Sequence, residues 1–102
     1  MRGDTGYGKA MRIAGKSRLI RASSSCSDET AGAYRAFYFE LEAAVWRSLE
    51  DVLAAYPNAK LETQSLVIPV DRQHCVVVAV DYEAEIALIK FAGPRSRRSD
   101  ES

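Results

Sequence analysis

The spacing of apolar positions changes once along the chain, and that change divides it into a helical half and a strand half. Tyr34, Phe37, Tyr38, Leu41 and Val45 recur at steps of three and four residues. That spacing puts them on one face of an amphipathic helix, with Arg35, Glu40 and Glu42 on or near the other side. Ser27 or Asp28 is the expected cap of this helix. Upstream, Arg12–Ala14 reads as a short strand, Lys16–Ala22 as a basic helix and Ser23–Ser27 as a serine-rich break. Trp46-Arg47 interrupts the pattern. A short helix then starts at Ser48, with Asp51 three residues on and a stripe of Leu49, Val52 and Leu53. Pro57 ends it, because the residue before a proline is pushed out of the α region.

Beyond residue 65 the period falls to two. Leu66, Ile68 and Val70 alternate, and Asp71-Arg72-Gln73 makes a polar loop. Cys75–Val80 is continuously apolar, as expected of a central strand covered on both faces. Asp81–Glu83 turns the chain, and Glu85–Phe91 forms a second buried strand. Short loops between these strands imply an antiparallel meander. Helices followed by strands predict an α+β fold, with the N-terminal helices packed on one face of a small antiparallel β-meander sheet.

With 102 residues, 47% of them apolar, the chain has material for one core and one domain. Residues 11–93 form that domain. Residues 1–10, with three glycines and no apolar periodicity, read as a flexible extension ahead of Met11, the expected start of translation. Residues 94–102 read as a basic and polar tail. The first twenty residues hold no apolar leader segment, and no apolar run reaches the roughly 20 residues of a membrane span, so the cytoplasm is the expected compartment and no membrane is expected as a partner.

The 14 basic and 14 acidic residues cancel, but unevenly. Residues 1–22 carry Arg2, Lys9, Arg12, Lys16, Arg18 and Arg21 against the single acid Asp4. Residues 23–93 carry five basic groups and eleven acids. Basic ends around an acidic middle fit a local phosphate-binding face, and they fit a solvated surface equally well. The two cysteines, Cys26 and Cys75, lie far apart, and with one histidine they fall short of a structural zinc site, so no metal and no cofactor is expected. Cys75 reads as a buried small hydrophobe.

Three stretches could carry chemistry. Gly3-Asp4-Thr5-Gly6-Tyr7-Gly8-Lys9-Ala10 approaches the phosphate-loop pattern, but it lacks a preceding strand, and Ala10 stands where a hydroxyl residue is needed. His74 is the only histidine and the one side chain suited to proton transfer near neutral pH; a polar strand end is the plainer reading. Pro94-Arg95-Ser96-Arg97-Arg98-Ser99 places three guanidinium groups after the last strand, either as a phosphate clamp or as a solvated tail. The spacing of Tyr34, Phe37 and Tyr38 favours core packing over base stacking, and Trp46 reads as a core or helix-joint residue.

With these residues placed, the chain resembles the HigB family of toxins. The resemblance rests on MRIAGKSRL at Met11–Leu19, on AYRAFYFELEAAVWRSLEDVLAAYPNAKL at Ala33–Leu61, on SLVIPV, and on VVVAVDYEAEIALIKFAG at Val76–Gly93. Trp46, Ser48, Asp51, Val52, Ala55-Tyr56-Pro57 and Tyr82 follow in the family's order. The resemblance implies a RelE-like fold and a metal-free mRNA endonuclease acting on ribosome-associated mRNA, the toxin of a toxin–antitoxin pair. It also implies a HigA-like helix-turn-helix antitoxin as partner, beside mRNA and the ribosome.

The chain departs from the family where the chemistry sits. Pro69 stands in place of an asparagine, His74-Cys75 in place of a tyrosine–arginine pair, and Pro94-Arg95-Ser96-Arg97-Arg98-Ser99 in place of a tail bearing histidine and tyrosine. The candidate catalytic residues are therefore His74, Arg95 and Arg98, with Lys16, Arg18, Arg72 and Arg97 as candidate RNA phosphate binders. Three classes stay open at this point. One is a toxin-like RNA endonuclease, weakened by altered catalytic residues. The second is a catalytically inactive module that binds antitoxin or ribosome on the same scaffold. The third is a small structural domain unrelated to RNA.

Overall fold

The computed structural model describes residues 11–96. The glycine-rich stretch before Met11, together with Arg97 and Arg98, lies outside the described residues. The elements run β1 (Arg12–Ala14), α1 (Lys16–Ser24), α2 (Asp28–Ala43), α3 (Leu49–Ala55), β2 (Lys60–Glu62), β3 (Ser65–Pro69), β4 (His74–Asp81) and β5 (Ile86–Pro94). The strands form one sheet of order β1-β5-β4-β3-β2. β3, β4 and β5 make the antiparallel meander expected from the period-two pattern, and β2 adds an antiparallel edge. The sheet is larger than a meander and is mixed, because β1 pairs parallel to β5 through Arg12↔Ile86 and Ala14↔Leu88. A three-residue strand carries too little pattern for its pairing direction to be read from the chain.

The core lies between the helices and one face of the sheet. Leu19, Tyr34, Phe37, Leu41, Trp46 and Val52 pack there against Leu66, Ile68, Val76, Val78, Ala87 and Ile89. Val67, Cys75 and Val77 form a smaller cluster on the opposite face, with Phe91 against it. Cys75 is fully buried, as its place in an apolar strand implies. β4 is thus covered on both faces in its first half. β5 is not: Ala87 and Ile89 are buried, whereas Leu88 is 41% exposed. It also runs on to Pro94, and a bulge opposite Val77/Val78 leaves Lys90 as its extra residue.

Two element ends and one cap bond differ from the sequence expectation. α1 continues to Ser24, because the Ser23 and Ser24 hydroxyls both donate back to the Ile20 carbonyl at 2.9 Å instead of breaking the helix. α2 stops at Ala43, so Val45 leaves the apolar stripe and is 39% exposed. The chain turns extended at Ala44, and Trp46 enters the core edge-on to Tyr56. Ser48 makes no side-chain cap bond; Asp51 Oδ2 instead accepts from the Arg47 N–H at 2.9 Å. Of the two candidate caps of α2, Ser27 holds the position, its hydroxyl accepting from the Thr30 N–H at 3.2 Å, and Asp28 is the first residue of the helix. Among the described residues no helix is long and apolar enough to cross a membrane.

Candidate functional site

Gly15 sets the position of α1 on the sheet. It has φ 80, a left-handed backbone, and a Cβ built there would stand 2.4 Å from the Ile89 carbonyl oxygen. Only glycine accepts both conditions at low cost. This close turn lays α1 along β5. β1 pairs β5 only over Ile86–Leu88, so beyond Leu88 the edge of β5 has no strand partner among the described residues. A cleft of about 440 Å³ opens between that edge and α1.

One wall of the cleft is a helical stripe, Arg18, Arg21, Ala22 and Ser25, at steps of three, one and three residues. The other wall is the β5 edge from Lys90 to Pro94, and Cys26, Tyr34 and His74 complete the lining. Lys16 lies on the opposite stripe of α1 and lines a separate niche with Ile20, Arg35 and Tyr38. Sequence reading brought Lys16 and Arg18 forward together and missed Arg21. The signal that separates them is helical phase: Arg21 follows Arg18 by three residues and shares its face, whereas Lys16 does not.

His74 opens β4 and pairs with Pro94 at the end of β5. Its Nδ1 lies 2.9 Å from Asp71 Oδ1. That oxygen also accepts from the backbone N–H groups of Gln73 and His74, both at 2.8 Å. The other carboxylate oxygen accepts from the Thr30 hydroxyl at 3.0 Å, tying the turn to the first turn of α2. Partial burial pushes the Asp71 carboxyl upward. Hydrogen bonds from His74, Gln73 and Thr30, with the nearby imidazole charge, outweigh that push and hold it below the ordinary carboxylate range. The Asp71 carboxylate orients the ring through its contact with Nδ1, which leaves Nε2 outside that contact. Tyr34 packs edge-on against the imidazole, centroids 6.2 Å apart.

The same turn carries cations on its far side. Arg72, Arg95 and Lys60 line a second, open groove with Pro57, Asn58 and Pro69. Arg95 is anchored there: its N–H donates to the Gln73 carbonyl at 2.8 Å and its Nη1 to the Arg72 carbonyl at 3.3 Å. Sequence reading found no anchor for the basic segment beyond the strand; the structure supplies one, because β5 runs through Pro94 and delivers Arg95 to the loop before β4. Of the residues singled out from sequence, His74 and Arg18 therefore share the cleft, Arg72 and Arg95 share the groove, Lys16 stands apart, and Arg97 and Arg98 lie outside the described residues. Sequence reading also missed Asp71 as a partner of His74, although the three-residue spacing across a polar loop is the signal for it.

Among the described residues no three His, Cys, Asp or Glu side chains come together to hold a metal ion. The arrangement offers one oriented imidazole, guanidinium groups in the cleft it lines and in the neighbouring groove, and an open strand edge. Such a set can bind a phosphodiester and move a proton at one of its oxygens. No family model matches the chain, and no curated protein matches it.

Proposed function

We propose that this chain is an RNA endonuclease of the HigB toxin type on a RelE-like fold, cutting at the Asp71–His74 turn. The observation that carries this reading is the Asp71–His74 pair, held at 2.9 Å with Arg95 anchored to the same turn. The 2′-hydroxyl of the substrate attacks the adjacent phosphorus and gives its proton to His74 Nε2. The new bond joins the 2′-oxygen to phosphorus, the bond from phosphorus to the 5′-oxygen breaks, and that oxygen takes a proton from water. The products are a 2′,3′-cyclic phosphate and a 5′-hydroxyl end. Arg72 and Arg95 counter the charge that grows on the phosphorane oxygens, where fixed cations act most strongly. The family resemblance supports mRNA at the ribosome as substrate and a helix-turn-helix antitoxin as partner.

The test is cleavage of mRNA by the purified protein, with and without translating ribosomes. His74→Ala is expected to lower the rate about 10²–10⁴-fold. Full cleavage by that variant would remove the imidazole from the mechanism. The departures at Pro69, His74-Cys75 and the tail favour one second reading, a module that binds antitoxin or ribosome without cutting. Growth arrest on expression separates the two, since only a competent nuclease arrests its host.

A further inference from the structure

We infer that the cleft between α1 and the open edge of β5 is a ribonucleotide subsite, holding the nucleotide next to the cut and selecting its base. The inference rests on the RNA-cleavage reading for its substrate and concerns a different set of residues. Arg18 and Arg21 project from one wall, three residues apart on a helix whose position Gly15 fixes. Paired guanidinium groups suit a phosphate oxygen.

The opposite wall is main chain. Among the described residues the edge of β5 from Lys90 to Pro94 has no strand beside it. An open strand edge presents N–H and C=O groups in a row, and these suit the hydrogen-bonding edge of a base. Ala22 and Ala92 give the cleft apolar surface for the base plane. Its volume of about 440 Å³ falls within the usual size of a small-molecule site.

A second, independent observation points to an occupant. Tyr34 stands between this cleft and the Lys16 niche, lining both, and is 1% exposed, yet its hydroxyl is buried with no hydrogen-bond partner among the described residues. A buried hydroxyl without a partner is disfavoured. A polar group of the bound nucleotide, directly or through one bridging water, completes it. Tyr34 also touches the His74 ring, so the subsite and the proton-transfer group share a wall. A strand seated in the cleft passes directly to the turn. Arg72 is two residues from His74 along the chain, so their Cα atoms stand no more than about 7 Å apart. The groove of Lys60, Arg72 and Arg95 then takes the phosphate at the cut and the chain beyond it.

The experiment follows backbone amide resonances of the full chain while each of the four ribonucleoside 5′-monophosphates, and separately inorganic phosphate, is added. The expected result is shifts at Arg21, Ser25, Tyr34 and Ala92, larger for a nucleotide than for phosphate and different among the four bases. Arg21→Ala and Tyr34→Phe are each expected to weaken that binding about fivefold or more, with the resonances of the β3–β4 core unmoved. Shifts confined to Lys60, Arg72 and Arg95 would overturn the subsite, and so would an equal response to phosphate and to every nucleotide. An acidic peptide that moves the cleft resonances when no nucleotide does would also overturn it and assign the cleft to a protein partner. The readout needs no cleavage. A protein that binds nucleotides in the cleft and cuts no RNA keeps the subsite and loses the endonuclease. A protein that cuts RNA with the cleft resonances unmoved does the reverse.

Discussion

Asp71 is the residue on which the candidate chemistry turns. Its carboxylate engages the His74 ring, the N–H groups of Gln73 and His74, and the Thr30 hydroxyl. Asp71→Asn leaves the shape of the turn and removes the charge that fixes the imidazole. RNA cleavage is expected to fall about ten- to a hundredfold, with little change in RNA affinity; an unchanged rate would show that His74 needs no orientation. The same carboxylate links stability to acid. Its folded pKa lies below its unfolded value near 3.9, so the stabilisation is fully present above that pH and is lost as pH falls through the folded value. The urea midpoint should therefore decline below about pH 4 less steeply in Asp71→Asn than in the parent. Tyr34→Phe acts in the opposite sense. It deletes a buried hydroxyl that has no partner among the described residues, so the free protein should unfold at the same or higher urea, gaining up to about 1 kcal/mol. A loss of 2 kcal/mol or more, on the scale of a well-made hydrogen bond broken in the core, would show that the hydroxyl has a partner in the folded state.

At the scale of elements, the decisive contact is the approach of the β1–α1 turn to β5. Gly15→Ala has to place a side chain at a left-handed φ and within 2.4 Å of a backbone carbonyl. The expected cost is about 2 kcal/mol or more, and α1 should tilt off β5, weakening nucleotide binding with it. Gly32→Ala is the matched control. That glycine lies inside α2 with open space where its Cβ would stand, and the substitution should stabilise by about 0.5–1 kcal/mol. Chemical denaturation of the two variants checks both signs. Elsewhere, elements were legible from the chain wherever the apolar period was sustained. α2 and β4 span enough residues for their periods to speak, and Pro57 marks the end of α3. β2 was not legible, because Lys60, Leu61 and Glu62 are all exposed and only pairing with β3 makes them a strand. The interrupted stripe at Trp46-Arg47 marks the break after α2, but that Trp46 enters the core there is settled by long-range packing.

For the whole molecule, the balanced charge matters less than where the cations gather. Arg18 and Arg21 face the cleft, and Arg72, Arg95 and Lys60 face the groove. RNA binding should therefore depend on these sites and not on a global attraction. Single-stranded RNA that engages the four arginines should show log affinity falling with log salt at a slope of about −3, from roughly −0.7 per phosphate contact. Replacing Arg72 and Arg95 by alanine should shallow that slope by about 1.4. A binding isotherm unaffected by salt would remove phosphate contacts from the interaction.

The chain by itself determined the α+β class, the meander strands, the cap of α2 to within Ser27 or Asp28 and the burial of Cys75, because each follows from period, propensity or local hydrogen bonding within a few residues. It also carried His74 forward as the single candidate for proton transfer. Tertiary structure alone decided the parallel pairing of β1, the division of the basic residues between cleft and groove, the anchoring of Arg95 to the loop before β4 and the isolation of the Tyr34 hydroxyl. Those outcomes depend on which surfaces meet across long stretches of chain, and the energy of such contacts is written in packing geometry, which no local pattern of residue types encodes.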